Sequence, residues 1–241
     1  MTRLALILAT LLLVPVRLAA QTDTLATATA TSSFVFRDPL QGGCAGTIIY
    51  DTTQASTQGA EITAAANGPA TSMGDLITLG GTDRFVCEIS IAVFTIASTA
   101  PFDLTMTLWT DCTTNGASNT ACGNGPGTLF PSSTVTVTGI TPPALGTMFS
   151  VAFPYPNVNL SGEADNTITV SVNASRNDVF WRLGETPTVG SQPDAGTSFV
   201  QRCGSAATNN GCSRNFGVTN NFGITIEAMT APVSLQSYEI D

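Results

Sequence analysis

The chain has 241 residues, eight of them arginine and none lysine or histidine, against 17 acidic residues, for a net charge of −9. So few cations on an acidic chain disfavour nucleic acid and anionic lipid as partners, because both are held largely through Lys and Arg. The missing residue types also exclude a Ser-His-Asp or Cys-His arrangement, a Schiff-base lysine and a Ser-Lys pair.

The chain opens with a short basic start, Met1-Thr2-Arg3, followed by an apolar run from Leu4 to Val14. Leu18-Ala19-Ala20 supplies small residues for cleavage, so residues 1–20 are predicted to be an export signal and the mature chain to begin at Gln21. The run is too short to cross a bilayer, and no later stretch reaches spanning length. No membrane span is therefore expected in the mature chain. Residues 21–33 are rich in Thr, Ala and Ser and read as a linker or flexible arm. One domain over 34–228 and a tail over 229–241 account for the remainder.

Short β-type runs alternate with turn clusters through that domain. Phe85 to Ile96 has apolar residues on both phases, with Val93 beside Phe94, which predicts a long central strand covered on both faces and containing a bulge. In Phe102 to Trp109, Phe102, Leu104, Met106 and Leu108 fall on one face and Asp103, Thr105 and Thr107 on the other. Ser133 to Thr138 alternates in the same way, with Val135 and Val137 inward. Phe149, Val151 and Phe153 make another apolar face. Asn166 to Asn173 turns Ile168, Val170 and Val172 inward and Thr167, Thr169 and Ser171 outward. Val179 to Leu183 and the Ile224, Ile226 pair complete the series. The nearest approach to a helix is Ala60 to Ala66, at most a turn or two. Gly80-Gly81, Asn124 to Gly127, Pro142-Pro143 and Asn209 to Gly211 supply turns. The pattern predicts an all-β fold: a single, jelly-roll-like β-sandwich.

Six cysteines in an exported chain predict a disulfide framework. Cys112 with Cys122, and Cys203 with Cys212, each enclose a polar loop containing Asn and Gly; pairing them leaves Cys44 with Cys87. No histidine and no Cys-x-x-Cys spacing is present, so a zinc site is not expected and no cofactor is assigned. Asp111, Asn115, Asn119 and Asn124 bracket one loop and offer oxygen ligands for calcium, though without EF-hand spacing.

The stretch Met73 to Val86 resembles the G-D-x-I-x-L-x-G-T-x-R element of bacterial exported β-sandwich proteins, the kind often found ahead of PEP-CTERM or other choice-of-anchor signals. Gly74, Asp75, Ile77, Leu79, Gly81, Thr82 and Arg84 carry the match. Phe102-Asp103-Leu104-Thr105 fits the same pattern, and the ending Ala231 to Asp241 is similar to the P-V-x-L-x-S-F linker that follows such domains. The resemblance implies an extracellular module and transfers no catalytic residue.

Carboxylate chemistry is what the composition leaves open. A glycosidase needs two carboxyls on opposite sides of the scissile bond, and Glu88, Asp103, Glu163, Asp165, Asp178, Glu185 and Glu227 are candidates in number only. Trp181 is in phase with Val179 and Leu183, hence core. Trp109 is out of phase with its own apolar face. It either stacks on a sugar ring, with Asp111 nearby, or packs under the loop between Cys112 and Cys122 or on a second layer. The expected function is a secreted, non-catalytic structural or adhesion module. The alternatives are a carbohydrate-binding module and, behind it, a carboxylate hydrolase. The expected partners are a glycan or another extracellular protein.

Overall fold

The runs of Val, Ile, Thr and aromatic residues form extended chain because β-branched and ring side chains pack well on a pleated surface. The computed structural model describes residues 27–30, 32–35, 44–52, 57–62, 72–110, 128–184, 186–191, 199–203, 213–215 and 221–231. No helix occurs among them. The strands are β1 (Thr27–Thr29), β2 (Ser32–Val35), β3 (Thr47–Asp51), β4 (Gln58–Glu61), β5 (Ser72–Thr78), β6 (Phe85–Thr95), β7 (Phe102–Thr110), β8 (Leu129–Ile140), β9 (Thr147–Asn159), β10 (Thr167–Ala174), β11 (Val179–Arg182), β12 (Phe199–Cys203), β13 (Ser213–Asn215) and β14 (Ile224–Met229).

They form two sheets. A six-stranded sheet runs β13-β12-β5-β10-β7-β8, antiparallel throughout. The eight-stranded sheet is organised on β6. β9 lies along one side of β6, and β14 and β11 share the other, β14 at its first part and β11 at its end. β3 flanks β14, β4 and then β1 flank β11, and β2 runs parallel to β9.

The main core takes side chains from both sheets. Leu104, Met106, Leu108, Ile168, Val170 and Val172 come from the six-stranded sheet, and Ile89, Ile91, Phe149, Phe153, Trp181 and Ile226 from the other. A second cluster, Ala30, Ala92, Phe94, Met148 and Phe180, lies apart from it. The Phe94 and Phe180 rings stack there at 5.4 Å. β6 is thus apolar on both faces, as its sequence requires. Its bulge is at Cys87: Glu88 pairs with Glu227 and Val86 with Ala228, so Cys87 is skipped in the ladder to β14. The ladder to β9 slips at the same place. The extra residue is why the buried positions Val86 and Ile89 stand three apart.

Cys87 is paired with Cys44, Cα–Cα 5.6 Å. Of the other cysteines, Cys112, Cys122 and Cys212 lie outside the described residues, and the side chain of Cys203 does too. Two expectations meet a different local structure. The first residues of the 60–66 segment belong to β4, because pairing with β1 and β11 overrides the local bias of its alanines. Part of the stretch read as a linker is recruited into short strands, Thr27–Thr29 and the first two residues of Ser32–Val35.

Candidate outward-facing site on the six-stranded sheet

The residues of the G-D-x-I-x-L-x-G-T-x-R stretch are used to hold the two sheets together. A side chain at Gly74 would run into the Val170 carbonyl of the neighbouring strand, so only glycine fits. Asp75 pairs in register with Val170 and therefore points with it toward the core. It is 1% exposed, and its Oδ2 accepts the Phe222 N–H at 3.2 Å. Gly81 takes φ +58°, a turn that glycine makes without strain. Arg84 donates to the Gly80 carbonyl at 3.1 Å and the Gly81 carbonyl at 3.0 Å, and through Nε and Nη2 to Asn166 Oδ1. It clamps the β5–β6 turn to the start of β10.

The Asp75 contact is one of several that fix the segment Asn221 to Gly223 in the interior. The Thr52 hydroxyl donates to the Phe222 carbonyl and accepts the Ile224 N–H at 2.9 Å. The Trp181 indole donates to the Gly223 carbonyl at 2.8 Å, and its ring stacks on Phe222 at 4.3 Å. Tyr50 is fully buried nearby. Its burial, and then the charges of Asp75 and Asp51, push its hydroxyl well above the ordinary tyrosine range. Sequence reasoning missed Asp75 as an interior residue. The signal was available, since Met73, Asp75 and Ile77 share one phase of an apolar strand.

Three of the candidate carboxylates accept backbone N–H groups. Asp103 accepts the Gly139 N–H at 2.8 Å, Asp165 the Thr167 N–H at 2.9 Å, and Asp178 the Ser98 N–H at 2.9 Å while pairing with Arg176 at 2.9 Å. Arg176 also lies over the Phe102 ring at 5.2 Å. Glu88 and Glu227 face each other across β6 and β14. Burial, and the Glu88 carboxylate beside it, hold the Glu227 carboxyl above its usual range. Registered neighbours on one sheet project side by side, so this pair does not flank a substrate bond from opposite sides. Glu185 lies outside the described residues.

Trp109 stands on the outer face of the six-stranded sheet. It registers with Thr169 on β10 and with Leu129 on β8. Its indole N–H donates to the Ser171 hydroxyl at 2.8 Å, so the ring leans over β10 and is half-buried. Thr169 and Ser171 beneath it are buried although they belong to the outward phase. Leu129 beside it is 46% exposed. Along the same face Thr105 and Thr136 hydroxyls bond at 2.9 Å, and Thr107 and Thr134 at 3.3 Å. The result is an apolar spot at the end of a row of hydroxyls. Asp111, Asn115, Asn119 and Asn124 lie outside the described residues, so the calcium expectation and the Trp109–Asp111 pairing have no geometry here. No group of three or more His, Cys, Asp or Glu suited to a metal occurs among the described residues.

Against known proteins the chain matches no family model, no curated protein and no solved structure. No helix among the described residues is long and apolar enough to cross a membrane.

Proposed function

We propose that this chain is an exported extracellular module, a β-sandwich that acts by adhesion and not by catalysis. The apolar leader read as an export signal, and the resemblance to exported bacterial sandwich domains, support an extracellular location. The observation that carries the adhesive role is the outer face of the six-stranded sheet, where Trp109 and Leu129 adjoin the Thr105–Thr136 and Thr107–Thr134 hydroxyl pairs. An aromatic ring held at the edge of water can give contact area to a partner, and the flanking hydroxyls can exchange hydrogen bonds with it.

Carbohydrate binding is the more specific form of the same reading. Sugar rings present an apolar face to an indole and hydroxyls to threonine, and Trp109 is already held in orientation by Ser171. Glycan-array binding by the purified chain, compared with Trp109→Ala, tests it. Retention of a glycan that falls at least about tenfold in the variant supports it, in line with the weight aromatic anchors carry in binding sites. Binding unchanged in the variant removes Trp109 from the site. A hydrolytic turnover that co-purifies with the chain would overturn the non-catalytic reading.

A further inference from the structure

The geometry points to self-association of two copies through the free edge of β8. Among the described residues β8 pairs only with β7 and ends the six-stranded sheet. Its regular part is framed by two positive-φ residues, Ser132 at φ 58° and Gly139 at φ 67°. Between them runs Thr134-Val135-Thr136-Val137-Thr138, with unbroken registered pairing from Val137 to Thr134.

Edge strands are ordinarily protected against pairing by charge, proline or a bulge within the strand. The neighbouring flank of the eight-stranded sheet has that protection, since β9 carries Pro154 and Pro156. In β8 the proline, Pro131, and the register shifts lie outside the stretch from Thr134 to Thr138, which leaves those five residues without such protection. No charged residue lies anywhere between Asp111 and Glu163. In a chain of net charge −9, this is where a second copy can approach without bringing like charges together. Val135 and Val137 face the core but are only partly buried, so apolar surface remains open along the edge.

The occupant follows from the sequence of the edge itself. Thr-Val-Thr-Val-Thr reads the same in both directions. Antiparallel pairing about a two-fold axis at Thr136 sets Thr136 against Thr136, Val135 against Val137 and Thr134 against Thr138 of the second copy. Every cross-strand pair is then like with like, as an isologous interface requires. The two six-stranded sheets become one continuous sheet, and the two Trp109 faces lie on it together. A ladder this short buries less than the ~1,000 Å² of a stable interface, so the dimer is concentration-dependent.

Sedimentation velocity of the purified chain over a range of micromolar concentrations tests the inference. The wild type should shift from monomer to dimer. Thr136→Lys and Thr136→Glu each place like charges on the axis and should weaken the dimer by about tenfold or more. A 1:1 mixture of the two should restore it. Thr136 is exposed, and circular dichroism verifies the fold of each variant. As a readout free of substitutions, amide exchange of Thr134 to Thr138 in the wild type should slow as concentration rises. A chain that stays monomeric, a dimer that Thr136→Lys leaves intact, or a mixture that stays monomeric overturns the inference. Oligomeric state is read here and glycan retention by the wild-type chain is read separately, so failure of the dimer leaves the adhesion reading standing and the reverse.

Discussion

Replacing both Cys44 and Cys87 by serine is expected to cost the protein a large part of its stability. The pair closes a loop of sequence separation 43. Loop-closure entropy for that length gives about 4 kcal/mol at room temperature, and measured disulfides commonly contribute ~2–4 kcal/mol. The structure places the bond where it constrains most. Cys87 occupies the bulge of β6, the strand on which the eight-stranded sheet is organised, while Cys44 leads into the edge strand β3. The closed loop contains β3, β4 and β5, which belong to both sheets. Urea unfolding followed by circular dichroism, under non-reducing conditions, should show the double variant losing ~2–4 kcal/mol, with an m-value that rises because the unlinked unfolded chain exposes more surface. Peptide mapping of unreduced protein should recover Cys44 joined to Cys87. A loss below about 1 kcal/mol, or a map joining either cysteine to another partner, would refute the reasoning.

Gly74→Ala should destabilise by about 3 kcal/mol in the same unfolding assay, because the added methyl meets the Val170 backbone and β5 must part from β10. Asp75→Ala should cost roughly 1–3 kcal/mol by leaving the buried Phe222 N–H without its acceptor; a neutral result would show that the contact does not hold the 221–223 segment. Glu227 has its carboxyl raised in the folded state, so the fold binds a proton there more tightly than the unfolded chain does. Its contribution is therefore favourable below the ordinary glutamate pKa and is lost as pH rises through the raised value. Glu227→Gln should accordingly stabilise at neutral pH, by at most about 1 kcal/mol because the pair is only partly buried, and the difference should vanish in acid. A Glu227→Gln variant less stable than wild type at pH 7 would contradict this.

Period-two alternation made β7, β8, β9, β10 and β14 legible, since a half-buried strand must sort its side chains by face. β7 is the clearest case, with Phe102, Leu104, Met106 and Leu108 buried in turn. The both-faced apolar pattern of β6 was legible from apolar residues on both phases, as was Trp181 in the core from its phase; the place of the bulge was not, since Val93 beside Phe94 pointed to the end of the strand and the bulge is at Cys87. β4 was not legible, because its Gln, Gly, Ala and Glu have little β preference and are held by neighbours remote in sequence. The Glu88–Glu227 pair was also hidden. It depends on register between residues 139 apart in sequence, and the bulge at Cys87 shifts that register by one. For the candidate site, the phase of Trp109 was readable. Its bond to Ser171 and its neighbour Leu129 were not, because both come from other strands.

The central claim is that the outer face of the six-stranded sheet is the contact surface. Radical footprinting of the two tryptophans tests it directly, on the chain free and on the chain retained by an insoluble polysaccharide. Trp181, fully buried, serves as the internal reference in both states. The claim predicts that oxidation of Trp109 falls on retention while that of Trp181 stays constant. Equal oxidation of Trp109 in both states, with the chain demonstrably bound, would place the contact elsewhere and contradict it.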